Sequence, residues 1–139
     1  MIQKVASYIQ NMLPEQFRNW TEEALEDYVL FHLNQNTMVV GESKSGVCGV
    51  LIAWGQDEPH QVPFTWQKHK PDAPYYWFDQ LAAKCPIVVF GLVHKFSGLH
   101  PRFLRVPILG IRNGKPRAYL PGKILKLYKK GFGLYGNEG

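Results

Sequence analysis

The chain has few cysteines and no long apolar run. Its 139 residues include only Cys48 and Cys85, which show neither the close spacing of a metal site nor a neighbouring histidine motif. No stretch approaches the roughly 20 apolar residues of a membrane span, and the N-terminus has no signal-peptide core. At this length and with 45% hydrophobic residues, we expect a single cytoplasmic domain over residues 1–139 with reduced thiols, no metal and a loose tail over residues 129–139.

Acidic side chains are almost absent from the second part of the chain. Residues 80–139 hold eleven basic and one acidic residue, a net charge of +10, whereas residues 1–79 hold five basic and ten acidic residues, a net charge of −5. This asymmetry predicts a basic docking face for an acidic partner, and nucleic acid, an acidic carrier protein and an acidic subunit interface all qualify. The candidate docking residues are Arg102, Arg105, Arg112, Lys115, Arg117, Lys123 and Lys126.

Hydrophobic spacing and turn residues predict a mixed order of helices and strands. The predicted helices cover residues 2–12, Thr21 to about Asn34, Ile87–Phe96 and 124–130; the predicted strands cover 37–42, 47–54, the aromatic run from Tyr75, 103–111 and 116–120. An irregular segment over residues 55–73 separates the second strand from the third, and residues 82–86 should end the third strand. The run 87–96 is apolar on most sides, so we expect a deeply packed helix, although its β-branched residues leave a strand open. The whole order predicts an α+β fold in which helices flank a mixed, largely antiparallel sheet.

Two details of the last strand pair follow from turn chemistry. The pair Asn113-Gly114 is a strong hairpin signal between residues 103–111 and 116–120. Pro107 would then need an edge position or a bulge, because proline cannot donate to a sheet ladder.

The most informative stretch is the aromatic run 75–78, which leads directly into Asp79. A charged group at the end of a bulky buried strand costs free energy unless it has a partner or a function. Asp79 is therefore predicted either to be a catalytic carboxylate in a cleft or to pair with an arginine such as Arg18 or Arg105.

Several segments, in consistent order over nearly the whole chain, resemble the RTX toxin-activating lysine acyltransferases, a branch of the GCN5-related acyltransferase fold. The segments are Pro14–Trp20 (resembling the catalytic-histidine segment), Val47–Trp54, Tyr76–Ala82 (resembling the strand with the catalytic aspartate), Arg102–Val106 and Pro121–Tyr128. The resemblance implies a GNAT-like sheet, transfer of a fatty acyl group from acyl carrier protein to a protein lysine, and a catalytic role for Asp79.

The chain also departs from that family. Phe17 stands at the position of the catalytic histidine, and a phenylalanine cannot accept or donate a proton. The CoA-binding glycine signature is missing before the helix at residue 87, which argues against acetyl-CoA and leaves an acyl carrier protein thioester as the donor, with no cofactor required. Alternatively, residues 17–20 are only a helix-capping turn with Trp20 in the core.

The histidines are candidates to replace the missing base. His94 and His100 follow the Asp79 strand and are the ones to test, whereas His32 is predicted to be packed in the core. Cys85 has no neighbour that would activate it as a nucleophile.

Three hypotheses for function remain open. The first is a divergent acyltransferase. The second is a non-catalytic structural or interaction protein, a pseudoenzyme such as an internal virion protein of a tailed phage, which would place it in the virion. The third, nucleic-acid binding, rests on charge alone, without a recognisable binding motif.

Overall fold

The computed structural model describes residues 1–62, 66–112 and 114–121. Within these residues, the helices are α1 (Ile2–Met12), α2 (Pro14–Phe17), α3 (Glu22–Asn34) and α4 (Pro86–Leu99), followed by a 3-10 turn at Pro101–Leu104; the strands are β1 (Met38–Ser43), β2 (Gly46–Gln56), β3 (Tyr75–Ala83), β4 (Ile108–Arg112) and β5 (Lys115–Tyr119). The predicted helix over residues 124–130 and the tail over residues 129–139 lie outside the described residues.

The five strands form one open sheet in the order β1-β2-β3-β4-β5. Neighbouring strands are antiparallel except β3 and β4, which are parallel. The predicted mixed, largely antiparallel α+β architecture is therefore confirmed. In the described part of the chain, no helix is long and apolar enough to cross a membrane.

Local signals define where α3 begins. The Thr21 hydroxyl accepts a hydrogen bond from the Ala24 amide at 3.0 Å, and Glu22 and Glu23 occupy the first turn. The hydroxyl satisfies an amide that has no partner within the helix, and the acids lie near the positive end of the helix dipole. The predicted start at Thr21 and the end at Asn34 are confirmed.

Helices cover both faces of the sheet. Residues of α1 and α3 pack with Trp54 and Trp77 on one face. On the other face, α4 and the 3-10 turn pack with Tyr76 and Leu51. Since successive strand residues point to opposite faces, Tyr76 and Trp77 belong to different cores.

The helix α4 is confirmed, but the prediction that it is deeply packed is wrong. Only Leu92 and Phe96 are buried, and the side chains of Ile87 and Leu99 are 51% and 49% exposed. A helix lying on one face of a sheet buries a single stripe, so its other apolar positions face outward.

The start of one strand also differs from the prediction. Phe103 belongs to the 3-10 turn, and β4 begins only at Ile108, so Pro107 precedes the strand and needs neither an edge nor a bulge. The prediction that residues 82–86 end the third strand is confirmed, because β3 ends at Ala83 and Pro86 opens α4.

Candidate functional site

Asp79 occupies a β-bulge in the centre of the sheet. Ile52 of β2 lies opposite Gln80, and Ala53 lies opposite Phe78, so Asp79 is the extra residue of β3. A bulge bends its strand and changes the direction of a side chain, and bulges are common beside active sites.

Two aromatic side chains donate hydrogen bonds to the Asp79 carboxylate. The Tyr28 hydroxyl of α3 donates to Oδ2 at 2.5 Å, and the Trp77 indole N–H donates to Oδ1 at 3.3 Å. Tyr28 is fully buried, and Asp79 gives its hydroxyl the hydrogen-bond partner that buried tyrosines usually require.

The environment shifts both acidic groups of this pair. Burial raises the pKa of Asp79, while the hydrogen bonds from Tyr28, Trp77 and Gln80 act to lower it. Burial and the neighbouring Asp79 charge raise the pKa of Tyr28 well above its ordinary value. Tyr28 therefore remains a donor, and Asp79 accepts a proton more readily than a solvated carboxylate.

The sheet opens next to Asp79. The parallel strands β3 and β4 pair only along Tyr76–Phe78 and Ile108–Gly110. A cavity of about 450 Å³, here called the apolar cavity, lies at this opening. Its lining residues are Leu13, Gln16, Phe78, Asp79, Gln80, Leu81, Val93, Phe103, Ile108, Gly110, Ile111, Arg117 and Tyr119. Most of them are apolar, which is typical of small-molecule sites.

A second cavity of about 430 Å³, here called the aromatic cavity, reaches Asp79 from the side of α3. It is lined by Gln16, Phe17, Trp20, Tyr28, Gln61, Trp77, Phe78, Asp79, Gln80 and Ile111. The apolar cavity instead includes Val93 of α4, on the other face of the sheet. Asp79 is thus accessible from two sides.

The structure brings Phe17 and Asp79 to the same cavity. Phe17 is 2% exposed, and its ring centre lies 5.0 Å from that of Trp20 and 6.1 Å from that of Tyr28. Tyr28, not Phe17, makes the polar contact with the carboxylate. The sequence analysis did not single out Tyr28; the available signal was a hydroxyl on the apolar face of α3, which must be buried.

Neither arginine proposed as a structural partner pairs with Asp79. The Arg18 guanidinium lies 3.7 Å from the Glu15 carboxylate, and Arg105 is exposed after the 3-10 turn. Among the described residues, no ion pair includes Asp79.

The two candidate histidines do not reach this site. His94 is exposed on α4, and His100 is buried on the opposite face of the sheet, where its Nε2 lies 2.5 Å from the Asn36 carbonyl oxygen. Neither lines either cavity. His32 is packed in the core as predicted, with Nδ1 2.8 Å from the Thr37 hydroxyl.

Five of the seven predicted docking residues belong to the described part of the chain. Arg102 donates to the Ala73 carbonyl at 3.0 Å, which ties the 3-10 turn to the segment before β3. Lys115 and Arg117 are exposed on β5, and Arg117 also lines the apolar cavity. Arg112 ends β4, whereas Lys123 and Lys126 lie outside the described residues.

Cys48 is buried, Cys85 is exposed, and both are free. No group of three histidine, cysteine, aspartate or glutamate side chains within the described ranges is placed to hold a metal ion.

The fold and the site define an α+β protein with a half-buried carboxylate at the opening between two parallel strands. No protein-family model and no curated protein matches this chain.

Proposed function

We propose that this chain transfers an acyl group from a carrier-protein thioester to an amine of a protein lysine, with Asp79 as the catalytic carboxylate. The observation that carries the proposal is that Asp79 lines both cavities. A donor in the apolar cavity and an acceptor in the aromatic cavity would meet at this carboxylate, and such positioning supplies much of the rate of a two-substrate reaction.

The apolar cavity suits the acyl chain. Its walls include Leu81, Val93, Phe103 and Ile108, and transfer of alkyl groups from water to such a surface is favourable. Arg117 at the same cavity provides a positive charge for an acidic carrier or for the phosphate of its prosthetic group.

The chemistry needs one proton acceptor at the meeting point. The amine nitrogen attacks the thioester carbonyl carbon, a carbon–nitrogen bond forms, and the carbon–sulfur bond breaks. The proton lost by the nitrogen passes to the Asp79 carboxylate and then to the leaving thiolate. Burial raises the pKa of Asp79, which favours this acceptance. Tyr28 acts as the positioning residue, because its hydroxyl orients the carboxylate.

Phe17 favours a second candidate, a protein of this fold without catalysis. Its buried ring fills the position where the resembling family has a histidine. The domain would then serve as an assembly or interaction protein, for example within a virion, and the apolar cavity would bind without reaction.

The test uses the purified chain with acyl carrier protein that carries a radiolabelled fatty acyl group, and a lysine-containing acceptor protein. We expect label to move to the chain or to the acceptor, and Asp79→Asn to abolish this transfer. Asp57→Asn is the matched control, because Asp57 pairs with Lys70 on the surface. Saturable acyl binding without transfer supports the non-catalytic candidate. If acyl groups of every chain length show no binding and no transfer, both uses of the apolar cavity are contradicted.

A further inference from the structure

The aromatic cavity surrounds a carboxylate with aromatic rings. Half of its ten lining residues are aromatic, namely Phe17, Trp20, Tyr28, Trp77 and Phe78. The faces of such rings attract a cation through their quadrupole, and a carboxylate attracts it through its charge. A neutral apolar group gains only the burial of its surface.

The rings form walls at steep angles to each other. Trp20 stands at 74° to Phe17 with ring centres 5.0 Å apart, and at 73° to Tyr28 with ring centres 5.4 Å apart. Trp66 stacks on Trp20 at 5.5 Å and 14°, so the indole is supported by a second ring. Neighbouring rings therefore pack edge to face and support one another as a fixed wall. The room for a ligand is the aromatic cavity of about 430 Å³ that this wall borders.

No lysine or arginine of the described residues lines this cavity. Its other polar residues are the neutral Gln16, Gln61 and Gln80. The charge of Asp79 therefore receives hydrogen bonds from Tyr28 and Trp77, and no ion pair among the described residues includes it. A bound cation would supply the missing opposite charge.

We propose that the aromatic cavity binds an organic ammonium group, specifically a methylated one such as trimethylammonium. A methylated ammonium spreads its charge over apolar methyl surface and needs few hydrogen-bond acceptors, which suits aromatic walls. A primary ammonium needs acceptors for three protons, whereas aromatic walls offer none and each Asp79 oxygen already spends part of its acceptor capacity on Tyr28 or Trp77. The inference goes beyond the proposed function, because a quaternary nitrogen cannot be acylated.

The test compares choline with its neutral isostere 3,3-dimethylbutan-1-ol on the unmodified full chain. Calorimetry at pH 8 gives both dissociation constants, and the fluorescence of the cavity tryptophans gives an independent reading. We expect choline to bind at least about tenfold more tightly than the isostere, and tetramethylammonium more tightly than butylammonium.

Variants locate the site. Asp79→Asn should remove the preference for choline over the isostere, and Trp20→Leu should weaken choline at least about fivefold. Asp57→Asn, outside the cavity, should leave binding unchanged, and circular dichroism checks that each variant folds.

Equal affinity for choline and the isostere, or no saturable binding of choline, would overturn the inference, and both results come from the unmodified chain. Tighter binding of butylammonium than of tetramethylammonium would overturn the preference for methylated groups. None of these results depends on whether labelled acyl groups are transferred.

Discussion

Replacing Tyr28 by phenylalanine removes one buried hydroxyl and leaves the ring in place. The hydroxyl donates to Asp79 Oδ2 at 2.5 Å, and the ring is fully buried among aromatic side chains. No large cavity arises, so the cost is that of a hydrogen bond to a charged acceptor, about 1.5–3 kcal/mol in the free energy of unfolding. The pKa of Asp79 should also rise further, because the Tyr28 bond favours the ionised form.

The measurement is urea unfolding at pH 8, combined with an NMR titration of the Asp79 carboxyl carbon. At a pH low enough to protonate Asp79, the same hydrogen bond joins two neutral groups, and the cost of Tyr28→Phe should fall to about 0.5–1.5 kcal/mol. Tyr8→Phe is the matched control, because the Tyr8 hydroxyl donates to the neutral Cys48 carbonyl at 2.9 Å. If Tyr28→Phe costs no more than Tyr8→Phe at pH 8, and the pKa of Asp79 does not rise, the assigned role of Tyr28 is wrong.

Two further predictions concern His69 and Gly55, which are in contact near the end of β2. The His69 Nδ1 accepts from the Gly55 amide at 2.8 Å, and burial, followed by the neighbouring His100, lowers the pKa of His69 from 6.5 to about 4. As the pH falls, His69 is protonated in the unfolded chain before it is protonated in the folded chain. The stability that is present above pH 6.5 should therefore be lost as the pH falls towards 4. His69→Asn keeps an acceptor that cannot be protonated and should flatten urea midpoints between pH 7 and 4.5; an unchanged slope would exclude His69 as the cause. Gly55→Ala should lower the free energy of unfolding by more than about 2 kcal/mol, because the new methyl group would overlap a backbone carbonyl oxygen. Gly41→Ala should change it by less than about 1 kcal/mol, because the nearest atom to its new methyl group is 3.4 Å away. Equal effects of the two substitutions would contradict this packing.

Elements with local signals were predictable. Pro14 ends α1, Thr21 caps α3, and Pro86 opens α4, and each of these effects acts within one helical turn. The start of β4 was not predictable, because the apolar Phe103 suits a strand and a packed 3-10 turn equally well. The place of Phe103 was decided by its packing on Phe96, whose ring centre lies 4.6 Å from that of Phe103.

The sequence by itself singled out Asp79, because a charge at the end of an aromatic strand costs free energy in any fold unless it has a partner or a function. Its environment depended on tertiary structure. The bulge arises from the register between β2 and β3, and the Tyr28 hydroxyl comes from 51 positions away in the chain. The apolar cavity lies where β3 and β4 diverge, and the aromatic cavity depends on the packing of α3 over the sheet. Strand register and helix packing are set by many weak contacts between distant residues, so no local pattern contains them.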